Sequence, residues 1–161
     1  MNRILHIALV GLMAVAPLGA ATAEGCIELK TVAEVEEQYV DAQGRPATRL
    51  VTAAKVVPGT EVIWTVSARN VCTQAAEALA IDSPVPEHMA YVAESAAGQR
   101  MAVSYSLDGK RYASPAELTV RETDGALRIA RADEYRAIRF VMTAPLGGGE
   151  AIAAQYRAVV E

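Results

Sequence analysis

Few residues in this chain could carry chemistry. The histidines are His6 and His88, and His88 follows Asp82 and Ser83 in the run Asp82-Ser83-Pro84-Val85-Pro86-Glu87-His88. A hydroxyl, an imidazole and a carboxylate perform acyl transfer when hydrogen bonds join them. Ser83 is followed by Pro84, however, and not by the glycine of a strand-to-helix nucleophile elbow. His88 therefore reads as a loop residue beside Glu87. Asp108-Gly109 and Asp124-Gly125 offer too few carboxylates for a calcium loop and read as turns. Gly147-Gly148-Gly149 lacks a following Lys-Ser or Lys-Thr and leads into an alternating segment, so a hairpin fits it better than a phosphate cradle. Neither HExxH nor CxxC occurs. No pair of carboxylates is singled out for glycoside hydrolysis. The expectation is no catalytic residue, no metal site and no cofactor.

Other side chains invite binding, not catalysis. The acids Glu34, Glu36 and Glu37 could meet a cationic partner, but they read as the solvated side of an element. Trp64 alternates with Val62 and Val66 and is expected in the core. Tyr91, Tyr105, Tyr112 and Tyr135 are the candidates for an exposed aromatic patch. With 15 Lys and Arg against 19 Asp and Glu, a net charge of -4 removes the basic footprint that nucleic acid requires.

At 161 residues and 52% hydrophobic content, the chain fits one ordered domain with an appendage. That appendage is residues 1–23. Arg3 precedes the apolar run Ile4–Ala16, Pro17 breaks it, and Ala21-Thr22-Ala23 supplies small residues before Glu24. The pattern is that of a secretory signal peptide cleaved after Ala23. An uncleaved anchor is the alternative, and lipidation at Cys26 is disfavoured by Glu24 just before it. Without the leader, no membrane insertion is expected.

Cys26 and Cys72 both lie in the exported part, where an oxidising compartment favours pairing them. Buried free thiols or an intermolecular bridge are the other possibilities.

The elements that must position these residues are strands. Thr60–Arg69 alternates, with Val62, Trp64, Val66 and Ala68 on one face. Val103, Tyr105 and Leu107 alternate likewise, as do Leu118 with Val120, Ile138 with Phe140 and Met142, and Ile152 through Val160. Pro58-Gly59 and the two Asp-Gly pairs punctuate them. Thr31–Val40 is ambiguous, because Thr31 and Glu34 could form a helical capping box. A strand is preferred there, with Gly44-Arg45-Pro46 turning the chain and Leu50–Lys55 returning. Arg131–Arg136 reads as one helical turn. Together these give an all-β antiparallel sandwich of about eight or nine strands. If the strand from Ile27 neighbours Thr60–Arg69 in antiparallel fashion, Cys26 falls near Cys72.

Several of these stretches also resemble a known family. Val57-Pro58-Gly59-Thr60-Glu61-Val62-Ile63-Trp64-Thr65-Val66, Asn70, Asp82 through Val92 with Ser95-Ala96, Val103 through Gly109, Ala132-Asp133-Glu134-Tyr135 with Ile138-Arg139-Phe140, and Pro145 through Gly149 are similar to the conserved-repeat family of bacterial surface proteins, domain of unknown function 11. The resemblance runs from about Val56 to Val160. It implies an immunoglobulin-like β-sandwich in an exported envelope protein, serving as spacer or adhesive module without catalytic residues. The chain departs from that pattern in having one copy, in Cys72 after Asn70, and in the added segment Glu24–Lys55. Trp64 and the two cysteines also lack the spacing of a true immunoglobulin bridge and its packed Trp.

The chain is thus divided into a signal peptide (1–23), an amino-terminal strand extension (24–55) packed on the sandwich, and the conserved-repeat sandwich (56–161), the last two forming one structural domain. The expected function is a periplasmic or secreted, non-enzymatic module with a structural or interaction role in the cell envelope, its partner another envelope protein or itself. A subunit or chaperone-like partner binding by strand addition through Glu24–Asp41 or the final strand is the alternative. A hydrolase whose residues the sequence does not reveal is a third, its clearest form one that uses His88.

Overall fold

A computed structural model describes residues 25–161. The expected signal peptide and its cleavage point lie outside the described residues.

Eleven strands follow in order: β1 Ile27–Val40, β2 Pro46–Thr52, β3 Glu61–Asn70, β4 Ala80–Pro84, β5 Met89–Tyr91, β6 Ala97–Gly98, β7 Met101–Ser106, β8 Thr119–Arg121, β9 Leu127–Ile129, β10 Ala137–Met142 and β11 Ala151–Val160. Short 3-10 turns occupy Pro115–Glu117 and Ala132–Glu134, the second within the expected helical turn. All pairings are antiparallel. The larger sheet runs β2-β1-β3-β11-β5, with β6 also on β11; the smaller runs β4-β10-β7; β8 and β9 form a separate hairpin. The fold is an all-β sandwich. The strands beyond the expected eight or nine are pieces of two or three residues, too short to show alternation.

The core lies between the two sheets. Val62, Val66 and Ala68 of β3 and Ile152, Ala154, Tyr156 and Ala158 of β11 face Ile81 of β4 and Ile138, Phe140 and Met142 of β10. Period-two alternation directs these side chains inward. Ile63, on the opposite face of β3, is also buried, since Glu34 and Arg157 flank it in register. The last strand in sequence order, β11, lies inside the main sheet, with β3 on one side and β5 and β6 on the other.

The ambiguous segment Thr31–Val40 is strand. Its first pairing is Ile27–Glu34 against β3, and its second is Glu34–Val40 against β2 on the other side. The Glu37–Arg49 ion pair, 2.6 Å, and the Arg49 guanidinium 5.1 Å from the Tyr39 ring centre hold the β1–β2 hairpin. Cross-strand pairs of this kind outweigh the local helical option.

Two joints fix the end of the larger sheet where β1 starts and β3 stops. Cys26 and Cys72 are bridged, with Cα atoms 5.2 Å apart, and so tie the start of β1 to the end of β3. Asn70, wholly buried, donates from Nδ2 to the carbonyls of Gln74 at 2.7 Å and Leu146 at 3.0 Å, and accepts from the Cys72 N–H at 3.1 Å. The triple glycine is not a hairpin between paired strands, because β10 and β11 belong to different sheets. It carries the chain across the sandwich, and a Cβ on Gly148 would stand 2.3 Å from the Thr73 carbonyl oxygen.

Candidate functional site

The residues that could have formed a catalytic group are held apart. Asp82 accepts two hydrogen bonds from Arg139, at 2.6 and 2.7 Å, and that guanidinium lies 3.8 Å over the Tyr112 ring centre. Ser83, adjacent on β4, is buried on the opposite face. His88 is exposed in the β4–β5 turn at φ 62°, where its carbonyl accepts from Glu161 N–H at 2.9 Å. No hydrogen bond joins the three among the described residues. Nor does any group of three or more His, Cys, Asp or Glu among them suit a metal ion.

Asp108 is used by its own turn. Its Oδ1 accepts from the backbone N–H groups of Arg111 at 2.9 Å and Lys110 at 2.8 Å, and from the Ser106 hydroxyl at 3.0 Å. These bonds, in that order of weight, hold its pKa down at about 2. Hydrogen bonds to the ionised form favour it. A depressed carboxyl stabilises the fold above its unfolded value of 3.8 and loses that contribution as pH falls through about 2. Carbon-detected NMR titration is expected to place the Asp108 midpoint there, and Ser106→Ala to move it upward. Glu134 is also held at about 2, first by Arg128 and then by the Arg131 N–H. Arg128 meets it through two bonds of 2.6 Å.

The tyrosines do not form an exposed patch. Tyr91 and Tyr135 are buried, and Tyr105 joins them with ring centres 5.4 and 4.8 Å away. The Tyr91 and Tyr105 hydroxyls are 3.2 Å apart. Burial, and then that hydrogen bond, push the Tyr105 phenol up, which keeps it neutral. Tyr112 stands with Arg139 instead. The acids do not share one face: Glu34 is half-buried, and Glu36 and Glu37 are exposed on opposite faces of β1, pairing with Arg157 at 3.0 Å and with Arg49.

Trp64 is only half-buried. It stacks on Tyr156 with centres 6.4 Å apart and lines a hollow of about 330 Å³ with Leu29, Thr31, Pro84 and Pro86. Ile81 to Pro84 of β4 form the hollow's opposite wall. The Trp64 indole N–H is buried without a hydrogen-bond partner among the described residues.

This hollow borders the feature that sequence reasoning did not resolve, the outer edge of β1. The Val71 N–H donates to the Cys26 carbonyl at 2.8 Å on the β3 side, and the Ala53 N–H donates to the Ala33 carbonyl at 3.0 Å on the β2 side. Antiparallel alternation then turns the N–H and C=O groups of Ile27, Leu29 and Thr31 toward the open side. β2 begins to pair only near Ala33, so these groups face no strand among the described residues. Glu28, Leu29, Lys30 and Thr31 are all exposed, Leu29 to 60%. On the outer face of the sheet a second hollow, about 470 Å³, is lined by Glu28, Leu29, Lys30, Ser67, Arg69 and Ala151. The edge is thus a short open slot with a concavity on each face. Open groups in a strand edge are a template for another strand.

No helix among the described residues is long and apolar enough to cross a membrane. Comparisons with protein-family models, curated proteins and solved structures give no match.

Proposed function

We propose that the chain is an exported, non-enzymatic sandwich module of the bacterial envelope that docks a partner by strand addition at the outer edge of β1. The observation that carries this reading is the row of open backbone groups at Ile27, Leu29 and Thr31. Main-chain bonding supplies affinity in this mode, and pockets for alternate side chains supply specificity. The hollows on the two faces of β1 meet that second need. Export is supported by the leader-like residues 1–23 and by the Cys26–Cys72 bridge, which suits an oxidising compartment. Membership in the conserved-repeat family is part of the same proposal, since an all-β sandwich is the fold which that resemblance implies.

The test is made in cells. A photo-crosslinking side chain at Thr31 is expected to give a discrete adduct on a protein whose intact mass begins at Glu24. The same group at exposed Lys110 is expected to give none. Equal labelling from both positions, or a chain that retains residues 1–23 in the cytoplasm, would remove the reading.

A further inference from the structure

We infer that the strand added at β1 is β1 of a second copy, paired antiparallel about a two-fold axis through Leu29. This rests on the strand-addition reading and names its partner. The argument is one of register. About that axis, Leu29 faces Leu29 of the second copy, Glu28 faces Lys30, Lys30 faces Glu28, and Ile27 faces Thr31. Residues with outward-facing groups meet residues with outward-facing groups, so Leu29 exchanges both backbone bonds with its counterpart and Ile27 exchanges both with the Thr31 opposite.

Charge agrees with backbone. The segment Glu28-Leu29-Lys30 is complementary to itself when reversed, and opposite charges directly across a ladder stabilise it while like charges do the reverse. Arg69 stands beside Glu28 in register on the β3 side, so each Glu28 would lie between two cations. The exposed Leu29 side chains meet on the face that holds the Trp64 hollow. An isologous contact of this kind closes on itself and stops at two copies.

The ends of the slot also fit. One is set by Ala53, which already occupies the outer side of Ala33; the other by Gly25, whose φ of 120° departs from strand geometry just before β1. The edges at β4, β7 and β2 lack these properties. β4 ends in Pro84, β7 carries the Tyr105–Ala113 bridge on its free side, and the open side of β2 has Arg49 near its middle with no acid on that strand to face it. So short a ladder buries less than the ~1,600 Å² of a standard interface, and the dimer is expected to be concentration-dependent.

The test is sedimentation of the exported, oxidised protein over a wide concentration range. Wild type is expected to pass reversibly from one copy to two. Leu29→Pro is expected to stay single, because its lost N–H points outward and the β3 ladder is untouched. Glu28→Lys and Lys30→Glu, both at exposed positions, are each expected to weaken self-association about tenfold. Mixed together they are expected to recover wild-type affinity as a heterodimer, an outcome that general destabilisation cannot produce. Thr31→Pro serves if Leu29→Pro does not fold.

A wild type that remains single at every concentration overturns self-pairing, while the Thr31 adduct on a different protein would leave strand addition standing. A dimer lost in Leu50→Pro, on the β2 edge, but kept in Leu29→Pro would overturn the register. Failure of both the dimer and the Thr31 adduct would remove both readings.

Discussion

Replacing Cys26 and Cys72 together by serine is expected to lower unfolding free energy by about 4 kcal/mol in the chain-entropy model. The bridge closes a loop with a sequence separation of 46, and opening it returns that freedom to the unfolded chain. The double variant is the right comparison, because a single one leaves a reactive thiol. Urea unfolding measures the change as a lower midpoint, with a steeper slope because the unfolded chain without the bridge exposes more surface. A second readout locates it. The amide protons of Glu28 and Lys30, which bond toward β3, are expected to exchange faster than that of Ala68 once the bridge is gone, since β1 then frays from its first residue. Equal acceleration throughout the sheet would mean that the bridge acts on the whole fold and not on the β1 edge.

Asn70→Ala is expected to cost about 3 kcal/mol, from buried partners left unpaired at roughly 1–3 kcal/mol each. The side chain bonds the carbonyls of Gln74 and Leu146 and the N–H of Cys72. It thereby joins the loop after β3 to the loop before β11. Asn70→Asp is the informative companion, because it keeps the acceptor for Cys72 while removing both donated bonds. It is expected to be as damaging as alanine, and a near-neutral aspartate would mean that the Cys72 contact alone matters. Thermal and urea midpoints of both variants decide it.

Much of the architecture was legible as alternation. β3, β10 and β11 each show it over six or more residues, and the pairing of Ile27 onward with Thr60–Arg69 brings the cysteines together as expected. Sheet membership was not legible. β10 and β11 are neighbours in sequence and read as a hairpin, yet β10 pairs with β4 and β7 and β11 with β3, and the crossing passes Thr73 too closely for any residue but glycine at 148. The tyrosines read as surface because their strands come from separate parts of the chain, and only the tertiary fold brings Tyr91, Tyr105 and Tyr135 to one place.

The candidate site was the least legible of all. Glu24–Asp41 was a candidate donor strand, but its open groups are defined by where β2 stops pairing, which no local pattern records. Trp64 shows the same limit. Its alternation with Val62 and Val66 gives the correct face, while the hollow that leaves it half-buried is walled by β1, β4 and β11 together, strands far apart in sequence.

The position of β11 inside the main sheet has a consequence for the order of assembly. Ala151–Val160 lies between β3 and β5, so β5 and β6 have no place in that sheet until β11 has been made. The earlier strands β2, β1 and β3 pair with one another without it. Long-range pairings such as that of β11 with β3 pay loop-closure entropy before they gain contacts and therefore form late. Burial of the inner face of β3 therefore waits on β11, whereas the β1–β3 pairing that brings Cys26 to Cys72 does not. The bridge can close on a half-built sandwich and hold the first half of the sheet in register for the strand that completes it.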